Sequence, residues 1–122
     1  MISVLMIIIS LIACNAQGGN KIDTKQFIEM AASDSVKVID VRTAGEIASG
    51  YISEADYFFD VNSGDFADKV AALDKNVTYL VYCRSGIRSS SAIKIMTEKG
   101  FTKLYDLSGG ISSWQEPSMI KQ

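Results

Sequence analysis

The segment that most limits how this chain can fold runs from Val77 to Ser91, V-T-Y-L-V-Y-C-R-S-G-I-R-S-S-S. Thr78 to Tyr82 are β-branched, aromatic or aliphatic at every position. A strand with one wet face would alternate, so this unbroken run suits a strand covered on both faces. Cys83 sits where that strand ends. Gly86 allows a tight loop, and Ser89 to Lys99 predicts a helix stopped by Gly100. A cysteine at the carboxyl end of a central strand, facing a helix amino terminus, is placed for reactive chemistry.

The flanking segments supply a frame for that strand. Lys21-Ile22 predicts a short opening strand. Asp23 with Gln26 forms a capping-box pattern, and Phe27, Ile28 and Ala31 give a helical apolar face up to about Ser33. Val36 to Val41 predicts a buried strand, and Arg42-Thr43 leads into a helix over Ala44 to Ser49 with Gly50 as its stop. Ala55 to Val61 predicts an aromatic-rich strand, Asn62-Ser63-Gly64 a turn, and Asp65 to Leu73 a helix facing inward through Phe66, Val70 and Leu73. Beyond the cysteine loop, Ala92, Ile93 and Met96 form the core side of a helix over which Phe101 closes. Lys103 to Leu107 predicts the last strand, Gly109-Gly110 a sharp turn, and Ile111 to Gln115 a final helical turn. Regular structure is expected to end at Pro117. Strands alternating with helices at this spacing predict an α/β fold, a parallel sheet of about five strands with helices on both faces.

Composition narrows the chemistry. A chain of 122 residues, 48% hydrophobic and with a formal net charge of −2, suits one domain and gives no basic surface for nucleic acid. It has no histidine, which excludes a Cys-His protease, a serine triad and a histidine-ligated zinc site. Two cysteines are too few for a disulfide framework.

Those two cysteines belong to different parts of the chain. Met1 to Ala13, M-I-S-V-L-M-I-I-I-S-L-I-A, carries no charged side chain. It is short of the roughly 20 residues that span a bilayer as a helix and suits the apolar core of a signal peptide. The small, polar stretch Asn15 to Asn20 after it reads as a linker. Leu11-Ile12-Ala13-Cys14 resembles the lipobox of bacterial lipoproteins, although no lysine or arginine precedes the apolar run. That resemblance implies cleavage before Cys14 and its lipidation, with acyl chains holding the domain at a membrane of the cell envelope, facing the periplasm or the exterior; the alternative is an uncleaved apolar anchor, which tethers the domain to the same side. The expected order is a signal peptide over 1–13, lipidated Cys14 and linker over 14–20, the domain over 21–117 and a tail over 118–122. Cys83 is then the free thiol.

The loop after Cys83 has the residues to make that thiol acidic. Successive backbone amides from Arg84 to Arg88 can curl around the sulfur, the helix adds its positive end, and Arg84 and Arg88 add two charges. All three favour thiolate over thiol without a histidine, and all three suit a bound anion. A cysteine kept for packing alone is seldom followed by R-S-G-I-R.

Three blocks together resemble a single-domain rhodanese over roughly Ile22 to Trp114. They are Val38-Ile39-Asp40-Val41-Arg42 with Glu46, Gly50 and Ile52; Cys83-Arg84-Ser85-Gly86-Ile87-Arg88-Ser89; and Leu107-Ser108-Gly109-Gly110 with Trp114. The resemblance implies a sulfurtransferase without a cofactor, in which Cys83 takes a sulfane sulfur from a small anionic donor such as thiosulfate and passes it to a thiophile. Cyanide serves in the assay, and a thiol or a thioredoxin-like partner in the cell. It implies that the loop from Arg84 through Ser85, Gly86, Ile87 and Arg88 to Ser89 holds the substrate and the persulfide. Asp40 and Arg42 match the family's Asp-x-Arg element, read here as a polar brace in preference to a catalytic pair. Glu46, four residues after Arg42, is placed to pair with it on one helix turn. Gly109-Gly110 is expected to permit close chain approach beside the cysteine loop, and Trp114 to belong to the core. The chain has Gly50-Tyr51-Ile52 where the family usually has Gly-His-Ile, and Glu54 to Phe59 where it tends to have a small, proline-containing stretch. A monomer is expected.

Three other readings use the same residues. A cysteine phosphatase or arsenate reductase resembles Cys-x5-Arg, but five residues after Cys83 the count lands on Ser89, and Arg88 comes one position early. A carrier that holds a persulfide without turning over fits the same loop. A thiol-exchange partner lacks C-x-x-C and would borrow its resolving cysteine from another molecule.

Overall fold

A computed structural model describes residues 20–122. The expected signal peptide, Cys14 and most of the linker therefore lie outside the described residues. Five parallel strands form the main sheet: β1 Asn20–Ile22, β2 Val36–Asp40, β4 Tyr57–Phe58, β5 Thr78–Tyr82 and β6 Leu104–Leu107. Their order is β1-β6-β5-β2-β4, so the apolar run Thr78–Tyr82 is the central strand. Alternation then divides its side chains between two cores. Tyr79 and Val81 face Phe66, Val70, Ile93, Met96 and Phe101, while Leu80 and Tyr82 face Phe27, Val38, Ile52 and Leu107.

Helices cover both faces. Helix α1, Thr24–Ala31, opens with the expected capping box: Gln26 N donates to Asp23 Oδ1 at 2.8 Å and Asp23 N to Gln26 Oε1 at 3.1 Å. Helix α2, Ala44–Ala48, is capped the same way by Thr43 and Glu46. Helix α3, Phe66–Ala71, is shorter than the expected span at both ends. Helix α4, Ile87–Glu98, ends as expected at Gly100 (φ 97°), with Phe101 N donating to Met96 O at 3.1 Å and the Phe101 ring buried. Its start differs from the expectation. The helix begins at Ile87 instead of Ser89, because Gly86 at φ 109° turns the chain within the loop itself.

Two further expectations change. The strand expected over Ala55 to Val61 shrinks to Tyr57–Phe58 at the sheet edge, although Asp56 N, Phe59 N and Val61 N still donate to carbonyls of Val38, Asp40 and Val41. Regular structure also continues past Pro117. A 3-10 turn over Pro117–Met119 leads into β7, Ile120–Lys121, which pairs antiparallel with β3, Tyr51–Ile52. Apolar burial drives this return, since Ile120 packs on the cluster containing the fully buried Ile52. Among the described residues no helix is long and apolar enough to cross a membrane.

Candidate active site

Cys83 follows β5 directly, 1% exposed and without a disulfide. In a parallel sheet the carboxyl ends of the strands open toward the crevice where ligands bind. The loop then turns back so that Gly86 N donates to Cys83 Sγ at 3.0 Å, with Ser89 Oγ at 3.5 Å. Burial pushes the thiol up. The Ser89 hydroxyl and the N–H groups of Ser89, Gly86 and Ser85 outweigh it, so the thiol lies below its ordinary value. Of the amides expected to curl around the sulfur from Arg84 to Arg88, Gly86 N makes the hydrogen bond.

A second loop holds the first from behind. Ile111 N donates to Cys83 O and Ser112 N to Arg84 O, both at 2.9 Å. Gly110 permits that approach: a Cβ there would stand 2.5 Å from the Arg84 carbonyl and 2.6 Å from Cys83 O. The close approach expected of Gly109-Gly110 is thus made by Gly110, while Gly109 lies against Ser113 of its own turn. Trp114 is half-buried and meets Phe27 edge-on with centroids 5.3 Å apart, a core position.

The arginines divide differently from expectation. Arg88 is clamped by Glu46, at 2.6 Å from Nη1 to Oε1 and 2.8 Å from Nη2 to Oε2. That bidentate pairing draws the Glu46 carboxyl down to about 2, and it matches a charge expected to be free. The helix-turn pairing of Glu46 with Arg42 does not form, because Arg42 is turned inward onto Asp40: Arg42 Nε lies 3.0 Å from Asp40 Oδ1, and Nη2 lies 2.7 Å from Oδ2. Arg42 Nη2 also donates to Gly50 O at 2.8 Å, and Tyr82 Oη accepts from Ile52 N at 3.1 Å. The Arg42 bond ties the end of β2 to the α2–β3 connection, which is the brace expected of Asp40 and Arg42, and the Tyr82 bond ties β5 to β3. Arg84 is exposed and forms no ion pair among the described residues. Ile87 stands at the head of α4, 78% exposed.

Sequence reasoning missed one participant. Asp106 of β6 is buried and accepts from Ser89 Oγ at 2.7 Å. The signal was present in Leu104-Tyr105-Asp106-Leu107, where an acid interrupts an apolar strand.

A parallel α/β sheet with a donor-ringed cysteine in a tight loop at the end of its central strand defines the class of cysteine-loop transferases and cysteine phosphatases. The comparisons with known proteins choose within it. The rhodanese-like domain model matches residues 23–117. The thiosulfate sulfurtransferase GlpE of Shewanella oneidensis is 30% identical over 95 residues, 78% of this chain and 91% of that protein. The putative sulfurtransferase YtwF of Bacillus subtilis is 36% identical over 87 residues, 71% of this chain and 81% of that protein. A crystal structure of a rhodanese-like domain protein from Staphylococcus aureus superposes with a TM-score of 0.71 at 25% identity, over 84% of this chain and 96% of that one. The chain belongs to the rhodanese-like family, with sulfurtransferases among its relatives.

Proposed function

We propose that this protein moves sulfane sulfur from a small anionic donor such as thiosulfate to a thiophilic acceptor through a persulfide on Cys83. The observation that carries this reading is the Gly86 N–H directed at Cys83 Sγ at 3.0 Å, in a loop whose arginine comes one position too early for phosphate chemistry. The Cys83 thiolate attacks the outer sulfur of thiosulfate. A sulfur–sulfur bond forms to Cys83, and the bond to the sulfonate group breaks, so sulfite leaves with its electron pair. The persulfide anion takes the thiolate's place among the loop N–H groups, which stabilise negative charge wherever it sits on the two sulfurs. Attack by cyanide or a thiolate on the outer sulfur returns Cys83 to its thiolate. Arg84, exposed beside the loop, supplies attraction for the anionic donor.

Intact mass after exposure to thiosulfate is expected to show one added sulfur on the wild type and none on Cys83→Ser. Steady production of thiocyanate from cyanide then marks an enzyme. A persulfide that forms without turnover marks a carrier, and absence of any adduct overturns the reading. We propose further that lipidation of Cys14 tethers the domain at a membrane of the cell envelope, supported by Leu11-Ile12-Ala13-Cys14 behind an uncharged apolar run. Membrane-fraction protein that becomes soluble in Cys14→Ser supports this, and unchanged partitioning overturns it.

A further inference from the structure

The buried acids among the described residues are Asp40, matched by Arg42, and Asp106, whose position nothing in the proposed sulfur transfer explains. Asp106 Oδ1 accepts from Ser89 Oγ at 2.7 Å; Ser90 Oγ divides its proton between Gly86 O at 2.9 Å and Asp106 Oδ2 at 3.3 Å, and Lys21 Nζ of β1 stands 3.6 Å away on the exposed side. Ser89 Oγ also lies 3.1 Å from Gly86 O and 3.5 Å from Cys83 Sγ. A hydroxyl has one proton to share among these neighbours. The bond to the Asp106 carboxylate is the shortest on offer, so the proton points to Asp106 and a lone pair of Oγ faces the sulfur. In that orientation Ser89 accepts from a neutral thiol, and its proton reaches a thiolate only as far as Asp106 gives it up. When Cys83 loses its proton to solvent, the hydroxyl serves the sulfur only by swinging its own proton away from Asp106. The carboxylate is then left with Ser90 and Lys21.

We infer that Asp106 is a positioning residue for the sulfur site: by competing for the single proton of Ser89, it sets how far that hydroxyl stabilises an anionic sulfur on Cys83. The inference rests on the reading of Cys83 as the reactive sulfur. The other charges around the site act differently. Arg88 of α4 is matched by Glu46 of α2, Asp40 of β2 by Arg42, and Arg84 points to solvent; Asp60 is close enough to be felt by Arg88. Among the described acids, Asp106 alone is linked to the sulfur through one hydrogen-bonded atom.

Thiolate absorbance of the full chain, titrated against pH with Cys83→Ser as the blank, tests this. Asp106→Asn removes the anionic competitor, and its amide can donate to Ser89 Oγ. The midpoint should move to lower pH, with a roughly fivefold larger thiolate-to-thiol ratio below it, the value of one redirected hydrogen bond. Ser89→Ala should move the midpoint upward, and adding Asp106→Asn to Ser89→Ala should change nothing further. An Asp106→Asn midpoint equal to the wild type overturns the inference. So does the same shift with and without Ser89, because that is the mark of a through-space charge. Where circular dichroism shows Asp106→Asn unfolded, Ser90→Ala and Lys21→Met decide instead. Each removes a group that competes with Ser89 for the carboxylate and should raise the midpoint; two unmoved midpoints overturn the inference. A wild-type thiol that titrates only in the range of a simple peptide thiol would count against the proposed function, while the comparison between variants would still read the role of Asp106.

Discussion

The neighbouring strands β2 and β5 pair in register through Asp40 opposite Tyr82, yet the loops that leave them serve opposite ends. After β2, Asp40 and Arg42 bury a complete ion pair, with the spare guanidinium N–H given to Gly50 O. After β5, Cys83 buries a sulfur that accepts from Gly86 N beside the Ser89 hydroxyl, while Arg88 is engaged by Glu46. Burial costs a charge several kcal/mol unless a partner is present. The first loop contains its own counter-charge and is a brace. The second sets no paired counter-charge against its sulfur; hydrogen-bonding dipoles lower the cost of a negative sulfur without cancelling it, and that leaves the sulfur able to react.

The sharpest break of this contrast is Cys83→Ser. It should abolish sulfur transfer while melting close to the wild type, as thiocyanate release and a thermal scan would show. Arg42→Ala should do the reverse. It strands Asp40 in the interior and should cost about 3–5 kcal/mol in urea denaturation, with whatever protein remains folded still forming a Cys83 persulfide. A brace that proved catalytic would instead lose transfer with little loss of stability. Gly110→Ala lies between the two. Its Cβ would press on the Arg84 carbonyl at a φ of 62°, so the cysteine loop must shift. A cost of about 1–3 kcal/mol should accompany at least a roughly tenfold fall in transfer rate.

The smallest effect falls on the Glu46–Arg88 pair. Its Arg88 hydrogen bonds hold the Glu46 carboxyl at about 2 against an ordinary 4.5. A carboxyl lowered in the folded state stabilises fully above its unfolded value, and that stability disappears as pH falls from about 4.5 toward 2. Solvent screening of this partly exposed pair keeps the gain to about 1 kcal/mol or less. Glu46→Gln should therefore be slightly less stable than the wild type at neutral pH and converge with it in acid. It also frees Arg88, so the KM for thiosulfate should fall; an unchanged KM would show that Arg88 contributes nothing to donor attraction even when released.

Much of the frame was legible because it depends on local patterns. Asp23 and Gln26 form their capping box within one turn, Gly100 ends α4 by its own backbone freedom, and Thr78–Tyr82 is apolar throughout because it is central. The ion pairs were not legible. Arg42 and Glu46 have helix spacing, but Arg42 precedes the helix cap at Thr43 and turns back onto Asp40. The pairing of Glu46 with Arg88 joins residues 42 positions apart, and no pattern within either segment announces it.

The chain's order of residues by itself determined a parallel α/β frame with a cysteine at the end of its middle strand, since strand burial, helix caps and glycine turns are written in a few adjacent positions. Tertiary structure alone decided the electrostatics of that cysteine. Which arginine stays free, and which carboxylate competes for the Ser89 proton, depends on α2, α4 and β6 meeting in space. Hydrogen bonds act over about 3 Å, a distance that separation along the chain does not encode.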